Sequence, residues 1–164
     1  MEKPKSSGTD YTRLEVGENR LRIVSEVISG WECWSGEEGS RKPIRQQYGF
    51  KASQLDDLKV TDNDGNPSKD QKQFYACIVW NYGSEQFECW TPKQASIKNA
   101  LYALDQDEAW GDPTQYDVII TRTGSGFDTS YAVMPRPQKA FEGDEIPIHN
   151  LEALFTGGNP LGDE

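Results

Sequence analysis

Arg20, Arg22, Lys42, Arg45 and Lys51 are interleaved with Trp34, Tyr48 and Phe50 early in the chain, and Tyr75, Trp80 and Trp90 follow in a second aromatic stretch. An exposed ring takes a nucleobase by stacking, worth about 1–3 kcal/mol per base whatever its identity, while a neighbouring Lys or Arg takes the phosphate. Interleaved, the two residue types describe a groove for a single strand that need not read sequence. Arg122 and Arg136 extend the cationic set. These residues also have an ordinary reading. Among five tryptophans in a chain of this size about half or more belong in a core, and a surface arginine pairs with an acid about as often as not. Trp110, and whichever of Trp31 and Trp34 points inward, suit the core best.

Other chemistries lack their residues. Structural zinc wants about four ligands, usually in close Cys or His pairs; the three cysteines, Cys33, Cys77 and Cys89, lie far apart and His149 is the only histidine. Their odd number and apolar surroundings mark them as buried hydrophobes, not a disulfide framework. No nucleophile motif accompanies His149, and no GxxxxGK[ST] loop is present. Asp62, Asp64 and Asn66 lack the glutamate and flanking helices of a calcium loop. The sequence therefore predicts a binding protein without cofactor or metal, not an enzyme.

A net charge of −10 at first argues against a nucleic-acid ligand. Its distribution does not. Acids and bases balance over residues 1–50, whereas Glu142, Asp144, Glu145, Glu152, Asp163 and Glu164 face no Lys or Arg after Phe141. This segment is either a solvated terminus or one that competes with DNA or recruits partners. With no run of about 18 apolar residues and no signal-peptide pattern at the start, the sequence predicts a soluble, intracellular protein with no membrane span.

The elements that would position these residues follow from periodicity. Residues 1–10 read as a flexible arm. NRLRIVSEVISGWECW reads as a long first strand that breaks or bulges near Ser29-Gly30, placing Arg20 and Arg22 outward. RKPIRQQYGFK suits an edge strand, and residues 61–71 a loop tip. FYACIVWNYGSEQFECW is a hairpin whose strands are apolar on both faces, so its outer face needs a cover, either protein or ligand. A capping box at Thr91 and Gln94 predicts a helix from Thr91 to about Asp105–Ala109, with Ile97, Leu101 and Leu104 on one stripe. YDVIITRTGSGFDTSYAVM is a second hairpin turning over residues 123–128. A helix between the third and fourth strands is how a mainly β, five-stranded Greek-key barrel of the oligonucleotide-binding (OB) kind is threaded. An extra hairpin and a short C-terminal helical stripe, Ile148 to Phe155, complete the chain.

The GENRLRIVSE opening, GWECW followed by KPIR, FYACIVWNY, the capped helix and the WGDPTQYDVIITRTGSGFDTSYAVMPRP close together resemble the phage-type single-stranded DNA-binding proteins, over about Tyr11 to Phe141. The resemblance implies an OB-fold domain at 11–141 and an acidic segment at 142–164 that contacts phage replication proteins. It also implies coating of single-stranded DNA in replication or recombination, in the cytoplasm of a bacterial host. The chain departs from the zinc-holding branch of such proteins in lacking clustered ligands. The rival from another class is a non-enzymatic protein-interaction adaptor using the aromatic face and acidic segment; a small phage enzyme or nuclease inhibitor is a third.

Overall fold

The computed structural model describes residues 11–36 and 42–162; the expected arm at residues 1–10 lies outside them. Among the described residues no helix is long and apolar enough to cross a membrane, and no group of three His, Cys, Asp or Glu side chains could hold a metal.

The fold is mainly β. Strands β1 (Gly17–Ile23) and β2 (Ile28–Ser35) run antiparallel along the same strand, β4 (Lys72–Asn81). Ile23 faces Val79 and Ile28 faces Ala76, so four residues, 24–27, sit opposite two, 77 and 78. This bulge is where the long strand bends, several residues before the expected break at Ser29-Gly30. The hydroxyl of buried Ser25 accepts the Ile78 amide at 2.8 Å, replacing the missing ladder bond, so the break leaves no buried donor unpaired. Gly30 has a different task. A Cβ there would meet the rings of Phe155 at 2.7 Å and Phe74 at 2.8 Å.

β3 (Lys42–Gln46) forms the extra hairpin with β2, and Pro43 opposes Trp34 on this edge strand. A six-residue helix, α1 (Ala52–Asp57), follows, and its Leu55 packs with Cys33, Phe50 and Val60. β5 (Gln86–Trp90) returns beside β4. Helix α2 is Ala95–Gln106; its cap is Gln94, three residues later than the expected Thr91, because the Pro92 carbonyl accepts the Tyr75 amide at 3.2 Å, holding residues 91–94 extended along β4. Ile97 and Leu101 are buried and Leu104 packs beside them, as the stripe required.

β6 (Asp117–Thr123) pairs with β1, and β7 (Ser130–Pro135) with β6, the turn falling at the expected glycines. The strand order is β3-β2-β4-β1-β6-β7, with β5 on β4. The result is a seven-stranded antiparallel open sheet. Among the described residues no ladder joins β5 to β7; Tyr11 instead bridges to Cys89 of β5, its neighbour Thr12 donating to the Cys89 carbonyl at 2.9 Å.

Period-two alternation divides the apolar residues between two cores. Leu21, Ile23, Val79, Trp90 and Val118 face α2, while Phe74, Ala76, Ile78 and Cys89 face outward. The outward set is covered by the chain itself. After β7 the backbone crosses to this face, and Leu151 and Leu154 of the 3-10 helix Leu151–Thr156 are buried against it. The three cysteines are free and buried; burial disfavours the thiolate, pushing the Cys77 thiol up and the Cys89 thiol up to about 12.

Candidate nucleic-acid interface

The expected cations and rings divide between surface and interior. Glu32 and Trp34 alternate onto the outer face of β2, opposite Arg45 and Pro43 of β3. Glu32 is only 3 % exposed, and its two oxygens accept Arg45 Nε at 2.7 Å and Lys93 Nζ at 2.8 Å. Two cations on one carboxylate leave an excess positive charge. The Lys93 ammonium also lies 6.0 Å from the centroid of Trp34, a cation–π distance. Lys72 is directly opposite Glu32 on β4. Trp34, Lys72 and Lys93 line a cavity of about 420 Å³ together with Thr61, Asn63 and Gln71. Three acids, Glu32, Asp62 and Asp70, share it; one Asp62 oxygen is committed to the amides of Asp64 and Asn66 in its own turn. Lys98 on α2 donates to the Gln73 carbonyl at 2.7 Å, and burial followed by the charge of Lys72 lowers its pKa. Arg45, Lys93 and Lys72 thus gather around Glu32 beside Trp34, with Asp62 and Asp70 elsewhere in the cavity lining.

A second cationic site lies on β1 and β6. Asp117, fully buried, accepts Arg20 at 2.6 and 2.9 Å, Arg22 at 3.3 Å and the Tyr82 hydroxyl at 3.0 Å. Burial acts to raise its pKa, but the hydrogen bonds from Arg20, Tyr82 and Arg22 outweigh that and hold it below the ordinary carboxylate range. The Tyr82 hydroxyl is pushed up, by burial first and then by its bond to Asp117. Arg20 remains 42 % exposed, with its guanidinium 4.9 Å from the centroid of Tyr82, and Lys139 is half exposed nearby. One carboxylate serving three cations leaves this surface positive.

Several expected contacts are corrected. Arg22 is 2 % exposed, because the segment after β7 folds over it: its Nη2 donates to the Lys139 carbonyl at 2.6 Å and its guanidinium sits 5.9 Å from the Phe141 ring. It buttresses Asp117 and presents nothing to a phosphate. Trp90 is 2 % exposed in the inner core, so it offers no face to a base. Trp80 is half-buried under a ring cluster, 4.8 Å from Phe87 and 6.4 Å from Phe141. Arg122 turns inward, donating to the Leu14 carbonyl at 2.9 Å. Tyr75 points toward α2, away from Trp34. Lys42 pairs with Ser35, so the pleat puts it on the face opposite Arg45. Tyr48 and Lys51 are exposed in the loop between β3 and α1. Of the core tryptophans, Trp110 packs edge-on against buried Tyr116, and Trp31 packs on the cluster around Phe50.

Of the expected set, then, Trp34 and Arg45 share one site and Arg20 occupies another. Lys72, Lys93, Tyr82 and Lys139 were not anticipated. Lys93 was legible in principle: had residues 91–94 been read as extended after β5, Cys89, Thr91 and Lys93 would share the outer face. Lys72 would likewise have followed from extending the alternation of Phe74, Ala76 and Ile78 two residues back, whereas Tyr82 and Lys139 sit in irregular chain, where periodicity gives no direction.

No family model matches the chain, and no solved structure matches it. It is 28 % identical over 140 residues to a protein of Escherichia phage T5 named as a probable ssDNA-binding protein, an alignment covering 76 % of this chain and 54 % of that protein. The chain thus spans about half the length of this curated relative.

Proposed function

We propose that this chain binds and coats single-stranded DNA without strong sequence preference, in phage DNA replication or recombination in the bacterial cytoplasm. Bases stack on Trp34, and phosphates are held by Lys93, Arg45 and Lys72. The observation that carries the reading is the Trp34 ring with Lys93 over it and a surplus of cations around Glu32. The likeness to the phage T5 protein supports it. Arg20 and Lys139 give a second phosphate contact, and Tyr48 with Lys51 a peripheral one. The architecture is read as a variant of the five-stranded OB barrel, with β1 and β2 as its bent first strand, β3 as an insertion and residues 11–141 as the DNA-binding domain. The adaptor alternative loses its main motive, because the apolar face that needed a cover is occupied by residues of the chain's own C-terminal segment.

Filter binding with oligo-dT, and with a duplex of equal length as competitor, tests this. Stacking needs unpaired bases, so the duplex should compete poorly. Equal affinity for the two would point to a merely electrostatic surface, and no binding at all to an adaptor.

A further inference from the structure

The bulge between β1 and β2 does more than bend the strand. It turns Glu26 and Val27 outward beside α2 and opens a second cavity, of about 640 Å³, which shares no lining residue with the cavity beside Trp34. Its walls mix apolar and aromatic side chains with polar ones: Val27 and Tyr102 are 41 % and 59 % exposed, with Ile28, Leu101, Pro113 and Tyr75 around them and the neutral groups of Ser25, Ser29, Gln73 and Thr114 between. Every charged residue in its lining is an acid, namely Glu26, Asp105 and Asp112. The negative field reaches the interior. The Tyr116 hydroxyl is pushed up to about 12, by burial first and then by Asp105, Asp112 and Asp107.

Such a lining selects its occupant. Carboxylates of one sign repel a phosphate backbone, so nucleic acid is excluded. No group of three metal-ligating side chains occurs among the described residues. A guanidinium satisfies all parts of the surface: it lies flat on tyrosine rings, is weakly hydrated and pairs with carboxylates through a planar fork. An apolar neighbour in the same peptide would cover Val27 and Leu101.

We propose that this cavity docks an arginine-bearing, partly apolar segment of a partner protein, with the guanidinium against Tyr75 and Tyr102 and paired to Glu26 and Asp105. The surface goes beyond DNA binding. Because it shares no lining residue with the Trp34 cavity, the chain can hold a strand and a protein together. The tyrosine that sequence reading offered to a base is thereby assigned to a protein contact.

The test is a titration of the ¹⁵N-labelled full chain with the peptide acetyl-Leu-Arg-Leu-Arg-amide, followed by amide chemical shifts, with the Glu-for-Arg peptide as control. Shifts should cluster at Val27, Gln73, Tyr102 and Asp105, and the control should leave them in place. The double variant Glu26→Gln with Asp105→Asn changes only exposed side chains; it should bind the peptide about tenfold more weakly, with its melting temperature and oligo-dT affinity unchanged. Shifts absent at millimolar peptide, unaltered affinity in the variant, or shifts centred on Trp34 and Lys93 would each overturn the proposal. Failure of oligo-dT binding with the peptide still docking would instead reject the DNA reading and leave this one standing.

Discussion

Lys93 donates to Glu32 at 2.8 Å and sits 6.0 Å from the centroid of Trp34, so one ammonium joins a buried carboxylate to the ring offered to a base. Glu32 sets both the position of the cations and how much of their charge is left for a phosphate.

Replacing Glu32 by Gln should therefore act in two directions. Losing charge-assisted hydrogen bonds to Arg45 and Lys93 destabilises the fold by about 1.5–3 kcal/mol, while the freed charge tightens oligo-dT binding at low salt. A thermal melt and a binding isotherm on the same sample check the opposition. Weaker DNA binding by a fully folded variant would contradict it.

Removing Lys72 and Lys93 together should weaken binding equally for oligo-dT and mixed-sequence strands, since phosphate contacts carry no base information. Each lost contact lowers the salt slope by about 0.7. Lys42→Ala, on the opposite face of β3, should leave the slope near that of the wild type, which separates the two faces in one experiment.

The buried Asp117 makes stability depend on pH. Its folded pKa lies below its unfolded value, so its contribution is fully present above the unfolded pKa of about 3.9 and is lost as pH falls through the folded one. Asp117→Asn should lower the melting temperature at neutral pH and flatten its fall in acid. An acid limb as steep as that of the wild type would assign the pH dependence to other carboxylates.

The C-terminal segment combines an apolar anchor with exposed charge. Leu154→Ala should destabilise by about 2–5 kcal/mol, the range for truncating a buried leucine. If the acids visit the cationic sites, changing Glu142, Asp144, Glu145, Asp163 and Glu164 to amides should tighten oligo-dT binding. The gain should be largest at 0.01 M salt, where the Debye length is about 30 Å, with the melting temperature unchanged. An unaltered affinity would leave those acids to solvent or to a protein partner.

Elements with strong local periodicity were legible in the sequence. The two hairpins, the glycine turn between β6 and β7, and the Ile97-Leu101-Leu104 stripe appear where alternation and helical spacing put them. The need to cover the outer face of β4 was also legible, because Phe74, Ala76 and Ile78 alternate with an equally apolar set. The C-terminal stripe offered a candidate cover, on this domain or on a neighbouring protomer. Leu151, Leu154 and Phe155 do pack on this face of the same chain, whereas Ile148 is fully exposed because the segment before Leu151 is irregular chain and not helix. The return of the chain after β7 also buries Arg22, an outward residue by alternation alone. The helix start was misplaced because Thr91 and Gln94 carry the side chains of a capping box, but the Pro92 carbonyl is held by Tyr75, a contact distant in sequence. Helix α1 offers one buried leucine in six residues, too little for a period.

The central claim is that Trp34 stacks on an unpaired base. Intrinsic fluorescence titrated with oligo-dT tests it most directly, because Trp90 is buried, Trp80 lies under Phe141, Trp110 packs on Tyr116 and Trp31 packs on the cluster around Phe50. Strong quenching in the wild type, largely abolished in Trp34→Phe while the variant still binds through its cations, is the predicted result. Quenching of equal amplitude in the variant, or none in the wild type at saturating oligo-dT, would contradict the account.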